Sequence, residues 1–172
     1  MILSGLEIAK KVAEGKEIII TPFDAAMVGP NSYDLRLADK LLVYEDEVLD
    51  MRVAAATREI IIPEEGFVLE RGKLYLGSTV EFTQTHGYVP MLEGRSSLGR
   101  LGISIHVTAG FGDVGFSGNW TLEIHALNPV RIYAGERVCQ IYYHKIEGEY
   151  IPYQGKYQGS AGVKASMKHK DK

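Results

Sequence analysis

Residues 93–102 read EGRSSLGRLG, which concentrates two arginines, two adjacent serines and three glycines in one short run. A packed core has no use for that mixture. A serine at the start of a helical turn suits its N-cap, and the free amides behind it form an anion site. If a helical turn begins at Ser96, then Ser96 and Arg100 stand at i and i+4 on one face. Arg95 would stand at the mouth as a planar fork of donors suited to phosphate. The same residues also fit a plain turn with two exposed arginines.

Three further stretches carry chemistry. Residues 108–118, TAGFGDVGFSG, interleave four glycines with two phenylalanines and one aspartate. That composition suits a tight loop whose backbone can approach a ligand closely. Asp113 is placed to receive a sugar hydroxyl or orient a water, or else to close an Asx-turn in a hairpin loop. In residues 119–127, NWTLEIHAL, period two puts Trp120, Leu122, Ile124 and Ala126 on one face and Thr121, Glu123 and His125 on the other. Such a glutamate is either solvent-facing or, if its face lines a cleft, a proton carrier whose pKa burial would raise. Alternation alone does not choose. Residues 152–162, PYQGKYQGSAG, read as a flap that closes over a ligand or as a disordered tail, with Lys156 the natural charge for a phosphate.

Other chemistries are missing from the sequence. Zinc nucleobase deaminases need an H-x-E segment and a C-x-x-C pair, and this chain has one cysteine, Cys139, and no H-x-E. His86, His106, His125, His144 and His169 lack metal-ligand spacing. A P-loop sequence is also absent. One cysteine cannot form an intrachain disulfide. The net charge of −3 argues against a general nucleic-acid binder, which carries a basic face. No apolar run approaches the ~20 residues of a membrane helix, and MILSGLEIAKK does not read as a signal peptide. A cytoplasmic protein is the expectation, with no nucleic-acid or membrane partner.

The elements that must position these groups are mostly strands. The chain has 172 residues, 45% of them apolar and 24% charged, which suits one compact domain. One helix is signalled: Ser4 and Glu7 form a capping box, Leu6, Ala9, Val12 and Ala13 lie on one face, and Gly15 stops it. Strands are expected at 17–21, 40–45, 58–63, 74–82, 102–107, 120–127, 130–134 and 137–146, short runs rich in β-branched and aromatic residues and punctuated by Gly, Pro, Asn or Asp. With no regular helix between them they point to a mainly β, antiparallel sandwich or distorted barrel. Residues 164–172 lose the hydrophobic pattern, turn basic and read as a mobile tail beyond a single domain over 1–163.

Taken together, MILS, PNSYDLRL (30–37), LGSTVE (76–81), EGRSSLGRLG, HVTAGFGDVGFSG (106–118), TLE (121–123), CQI (139–141) and PYQGKYQG resemble, in order and spacing, the dCTP deaminase family within the dUTPase-like superfamily. The resemblance covers most of the chain. It implies a distorted antiparallel β-barrel or jelly roll with a short N-terminal helix, assembled as a homotrimer with sites between subunits. It implies zinc-independent hydrolysis of a cyclic amidine C–N bond, converting dCTP with Mg2+ to dUTP and ammonia. Glu123 would be the general acid/base, Ser96 and Arg100 would position the water, and the Ala109 carbonyl would accept a hydrogen bond in the same cluster. Arg95, Ser97 and the amides of Leu98 and Gly99 would meet the phosphates, Asp113 the deoxyribose end, and Thr121, Leu122 and Glu123 the base edge. Gln140, Tyr153, Lys156 and Tyr157 would close around the triphosphate. Inhibition by dTTP is common in the family. Two positions depart from its pattern: Val114 follows Asp113 where proline is usual, and Ser160 stands where many members carry glutamine. Four outcomes follow from the resemblance: a deaminase that releases dUTP, a bifunctional enzyme giving dUMP and pyrophosphate, a dUTPase alone, or a dNTP-binding trimer without turnover.

Overall fold

The computed structural model describes residues 1–105 and 109–171. Of the sequence motifs, the first three residues of HVTAGFGDVGFSG, and with them the end of the strand expected at 102–107, lie outside the described residues.

The chain is mostly β. Helix α1 (Gly5–Glu14) starts where Ser4 accepts a hydrogen bond from the Glu7 amide at 3.2 Å and stops at Gly15, which takes the left-handed φ of 64°. The buried face is not the one expected. Gly5 and Ile8 are buried, whereas Leu6 is 82% exposed and Ala13 is exposed. The reason is the close docking of the helix start: the Gly5 amide donates to the Pro30 carbonyl at 2.9 Å, and a Cβ on Gly5 would lie 1.8 Å from the Gly29 oxygen. That contact turns the Gly5–Ile8–Val12 side inward.

Eleven strands follow among the described residues: β1 (Ile18–Thr21), β2 (Tyr33–Arg36), β3 (Lys40–Tyr44), β4 (Thr57–Ile61), β5 (Phe67–Leu69), β6 (Leu74–Thr85), β7 (Tyr88–Gly94), β8 (Ile103–Ile105), β9 (Ser117–Ala126), β10 (Val130–Ile132) and β11 (Arg137–Lys145). All their pairings are antiparallel. One sheet runs β4-β3-β6-β9-β8 with β1 also on β6, a second is β2-β11-β7, and a third is β10-β5. Among the described residues the ladders do not close into one continuous barrel; the three sheets wrap a shared core in a jelly-roll-like arrangement. Tyr33, Leu35, Leu92, Cys139, Ile141 and Tyr143 from the second sheet meet Ile18, Tyr75, Leu122 and Ile124 from the first. Within the described residues no helix is long and apolar enough to cross a membrane.

Sequence patterning missed β2, β5 and β7. β5 is only three residues long, and β7 carries Pro90 in its middle. Proline is tolerated there because β7 is the edge of its sheet. A carboxylate ties the sheets together: Glu81 is fully buried and accepts from the Arg36 Nε at 2.7 Å and the Arg36 amide at 2.8 Å, bolting β2 to β6.

Candidate active site

Strand β9 settles which way its polar face points. Trp120, Leu122, Ile124 and Ala126 are buried in the core, and Thr121 and Glu123 line a cavity of about 400 Å³. Ala109, Asp113, Tyr153 and Tyr157 line the same cavity. Its floor is aromatic. The Trp120 indole donates to Thr83 Oγ1 at 2.8 Å, Phe116 packs on that indole with ring centroids 4.6 Å apart, and Tyr153 lies 6.0 Å beyond Phe116.

The glycines of the 109–118 loop are explained by protein contacts. A Cβ on Gly112 would come within 2.4 Å of the Trp120 ring, and one on Gly115, at φ 89°, within 2.8 Å of Pro152. The loop is therefore pressed between the indole and the flap. Flap and loop are zipped together by the Tyr153 amide to Val114 O at 2.8 Å, the Gly159 amide to Ser117 O at 2.8 Å, and the Asn119 amide to Ser160 O at 2.9 Å. Ser160 is buried, and its hydroxyl donates to Tyr157 O at 2.6 Å. Val114 is buried as well.

The run 93–102 forms a second hollow. Helix α2 (Ser96–Gly99) does begin at Ser96, but its N-cap position is Arg95, in extended conformation and without a side-chain cap. The expected serine cap fails because Ser96 already lies inside the helical turn, and the residue left at the cap, Arg95, has no acceptor to offer; its side chain lies 3.4 Å from the Asp34 carboxylate. Ser96 and Arg100 do share a face: Arg100 Nη1 donates to Ser96 Oγ at 3.2 Å. Arg95, Ser96, Gly99 and Glu93 line a groove that shares Phe111 with the β9 cavity. Ser97 is exposed, Leu98 packs partly buried against the core, and Leu122 is fully buried within it.

Beside this groove, Asp34 on β2, Gln140 on β11 and Glu93 on β7 lie opposite one another across the second sheet. Asp34 also holds Arg137 at 3.3 Å, and Gln140 Oε1 accepts from Ser32 Oγ at 3.3 Å. Gln140 thus belongs to the face with Arg95, apart from the cavity that holds Glu123.

The flap continues into a C-terminal segment laid over the cavity. The Lys164 amide donates to Thr121 Oγ1 at 3.0 Å, the Ser166 amide to the Tyr44 hydroxyl at 3.0 Å, and the Met167 amide to the Tyr157 hydroxyl at 2.9 Å. The Lys156 ammonium pairs with Asp171. The hydrogen bond from Lys156, helped by that from Lys168, pulls the Asp171 carboxyl down to about 2. Sequence reasoning missed Tyr44, which closes a strand with nothing to mark it, and Gln158, an amide among several in the flap. Burial pushes the Cys139 thiol up, which keeps it a protonated core residue.

The model of the dCTP deaminase-like family matches residues 2–146. The chain belongs to that family. A Clostridium botulinum relative named dCTP deaminase, dUMP-forming, is 59% identical over 172 residues, covering 99% of this chain and 98% of its own. A Cytophaga hutchinsonii relative of the same name is 58% identical over the same coverage. Among solved structures, the 2'-deoxycytidine 5'-triphosphate deaminase from Agrobacterium tumefaciens superposes with a TM-score of 0.65 at 23% identity, over 83% of this chain. This chain spans about half of that one, 47%. The likeness is one of fold, and it places the three-sheet arrangement within the family's architecture.

Proposed function

We propose that this chain is a dCTP deaminase that carries its product on to dUMP. In the first step dCTP and water give dUTP and ammonia; in the second, dUTP and water give dUMP and pyrophosphate. The observation that carries the reading is that Glu123 and Asp113, two carboxylates suited to two different waters, line one cavity. The name of the Clostridium and Cytophaga relatives fits the same pair of steps.

In the first step Glu123 takes a proton from water, and the oxygen adds to C4 of the cytosine ring. Glu123 returns that proton to the ring nitrogen beside C4, then takes the second proton from the new C4 hydroxyl and gives it to the amine, so that C4–N breaks, ammonia leaves and C4=O remains. A positioned general base contributes about 10²–10⁴-fold, and donors aimed at the developing charge add to it in a site of low dielectric. Ser96 and Arg100, already joined by a hydrogen bond, hold the water and Glu123, and the Ala109 carbonyl accepts a hydrogen bond beside them. Thr121 and the Leu122 backbone meet the base edge. Arg95, Ser97 and the amides of Leu98 and Gly99 meet the phosphates, and Gln140, Tyr153, Lys156 and Tyr157 close on the triphosphate.

Asp113, exposed at the cavity rim, takes the deoxyribose end and orients the second water for attack at the α-phosphorus. Mg2+ enters as part of the substrate. No three His, Cys, Asp or Glu side chains gather to hold an ion among the described residues, and Mg2+ commonly rides on phosphate oxygens and water with one or two carboxylates.

The working form is a homotrimer in the cytoplasm, with each site made between subunits. What supports this is that Ser96 and Glu123 line different hollows of one subunit. Segment 164–172 is a tail beyond the single domain 1–163; it moves when nucleotide enters, because it engages Thr121, Tyr157 and Lys156. The test is purified protein with dCTP and Mg2+, with ammonia assayed and nucleotides separated by anion exchange. Ammonia with dUMP and pyrophosphate is the expected result. Accumulating dUTP would reduce the activity to deamination alone, dUMP from added dUTP without any ammonia from dCTP would make it a dUTPase, and dCTP binding without any product would make it a sensor.

A further inference from the structure

We infer that Gln158 is a positioning residue for the reaction: its side chain clasps the flap to the loop that carries Asp113 and so sets the spacing between the two walls of the nucleotide site. Gln158 Oε1 accepts from the Ser117 amide at 2.9 Å, while its Nε2 donates to Gly115 O at 2.8 Å and reaches Tyr153 O at 3.4 Å. Both ends of one amide are thus used, the acceptor on the start of β9 and the donor on the loop and on the flap's own Tyr153. No other natural side chain of that length offers an acceptor and a donor together.

The clasp sits where the two segments are already closest. Gly115 lies against Pro152 and the Tyr153 amide, and Gly118 lies against the Ser160 backbone, with no room for a Cβ at either. The backbone bonds from Tyr153, Gly159 and Asn119 hold the ends of the seam. Residues 154–157 form a bow between those ends, in which Lys156 is exposed and Tyr157 packs, partly buried, against the core. Gln158 fastens the downstream foot of that bow. Its loss would leave the Tyr157 bonds to Ser160 and Met167 and the Lys156–Asp171 pair in place, but the spacing between this segment and the Asp113 loop would rest on the seam's backbone bonds alone. The inference rests on the reading that flap and Asp113 meet the same nucleotide.

Steady-state kinetics on the full-length enzyme test it. Gln158→Ala should raise the KM for dCTP about tenfold, from two lost hydrogen bonds, with kcat within about threefold. Gln158→Glu keeps the acceptor but sets a carboxylate against the Gly115 carbonyl, and should behave like Gln158→Ala. Trypsin should cut after Lys156 faster in both variants, and dCTP should slow that cleavage less than in the parent enzyme. Gly115→Ala, which pushes the same seam apart at the backbone that accepts the Gln158 bond, should give the same KM-weighted loss. A parallel Lys156→Ala variant separates the two ideas. If Lys156→Ala raises KM and Gln158→Ala does not, the clasp is overturned while the flap's role stands. If neither raises KM, the flap does not meet the triphosphate and the inference falls with that reading. A loss confined to kcat would also overturn it.

Discussion

The cavity beside β9 is lined by aromatic rings and the carboxylates of Glu123 and Asp113, whereas the groove under α2 is lined by the Arg95 guanidinium, the Ser96 hydroxyl, Gly99 and Glu93. One has the means to move protons and hold a flat ring, the other the means to hold an anion. On the proposed reading, neither alone is a complete site for a nucleoside triphosphate. Phe111 lines both, yet the helix that carries Ser96 and Arg100 packs mainly on β8, and the cavity is covered by its own flap and tail. On that reading, the comparison teaches that one subunit carries two halves of a reaction in two separate hollows. A cyclic assembly that sets the groove of one copy against the cavity of the next makes complete sites with no new residue.

The largest effect expected is on the cavity side. Glu123→Gln should lower ammonia release by about 10²–10⁴-fold and leave dCTP binding, followed by calorimetry, largely intact; turnover at the parental rate would remove Glu123 from the chemistry. Mixing asks whether the halves belong to different subunits. Co-expression of Glu123→Gln with Arg100→Ala, each inactive alone, should restore about a quarter of the parental activity in randomly mixed trimers. No recovery in trimers shown to be mixed would place both halves in one subunit and undo the comparison.

On the groove side, Arg95→Ala should weaken dCTP binding by about 10–100-fold, the loss of a charge-assisted fork, and leave deoxycytidine binding nearly unchanged. Equal weakening of both ligands would take Arg95 out of the phosphate site. The smallest effect concerns the tail. Asp171 occupies the Lys156 ammonium that the triphosphate would use, so Asp171→Asn should lower the KM for dCTP, by about twofold for an exposed pair. Acid cannot substitute for the mutation. A carboxyl held down to about 2 keeps its charge above its ordinary value of 3.8, and the contact is lost only as pH falls through about 2. An unchanged or higher KM in Asp171→Asn would show that Asp171 does not compete with substrate.

Much of the fold was legible in the chain because its strands are short, β-branched and separated by turn residues, and because Ser4 and Gly15 mark both ends of α1. The strands that escaped did so for local reasons. Pro90 disguises β7, which tolerates it only as an edge, and β5 is too short to show a period. The face of α1 was misjudged since Leu6 looks like a core residue until Gly5 docks on Gly29 and turns it outward. The site divides in the same way. Ser96 and Arg100 were readable as a pair from helical spacing alone, but the cap position at Arg95 was not, because a guanidinium has no acceptor and marks no helix start; nor was the contact of Arg95 with Asp34, which comes from a distant strand.

By itself the sequence determined which residues this protein has for chemistry, the period-two face that presents Thr121 and Glu123, and the antiparallel β class, because those follow from residue types and local spacing. Only the tertiary structure decided that Glu123 faces a cavity instead of solvent, that Gly112 and Gly115 are there to admit Trp120 and the flap, and that Ser96 and Glu123 lie in separate hollows. Those facts depend on which strands become neighbours and how closely loops pack. Contacts between residues far apart in the chain set both, and local pattern carries no record of them.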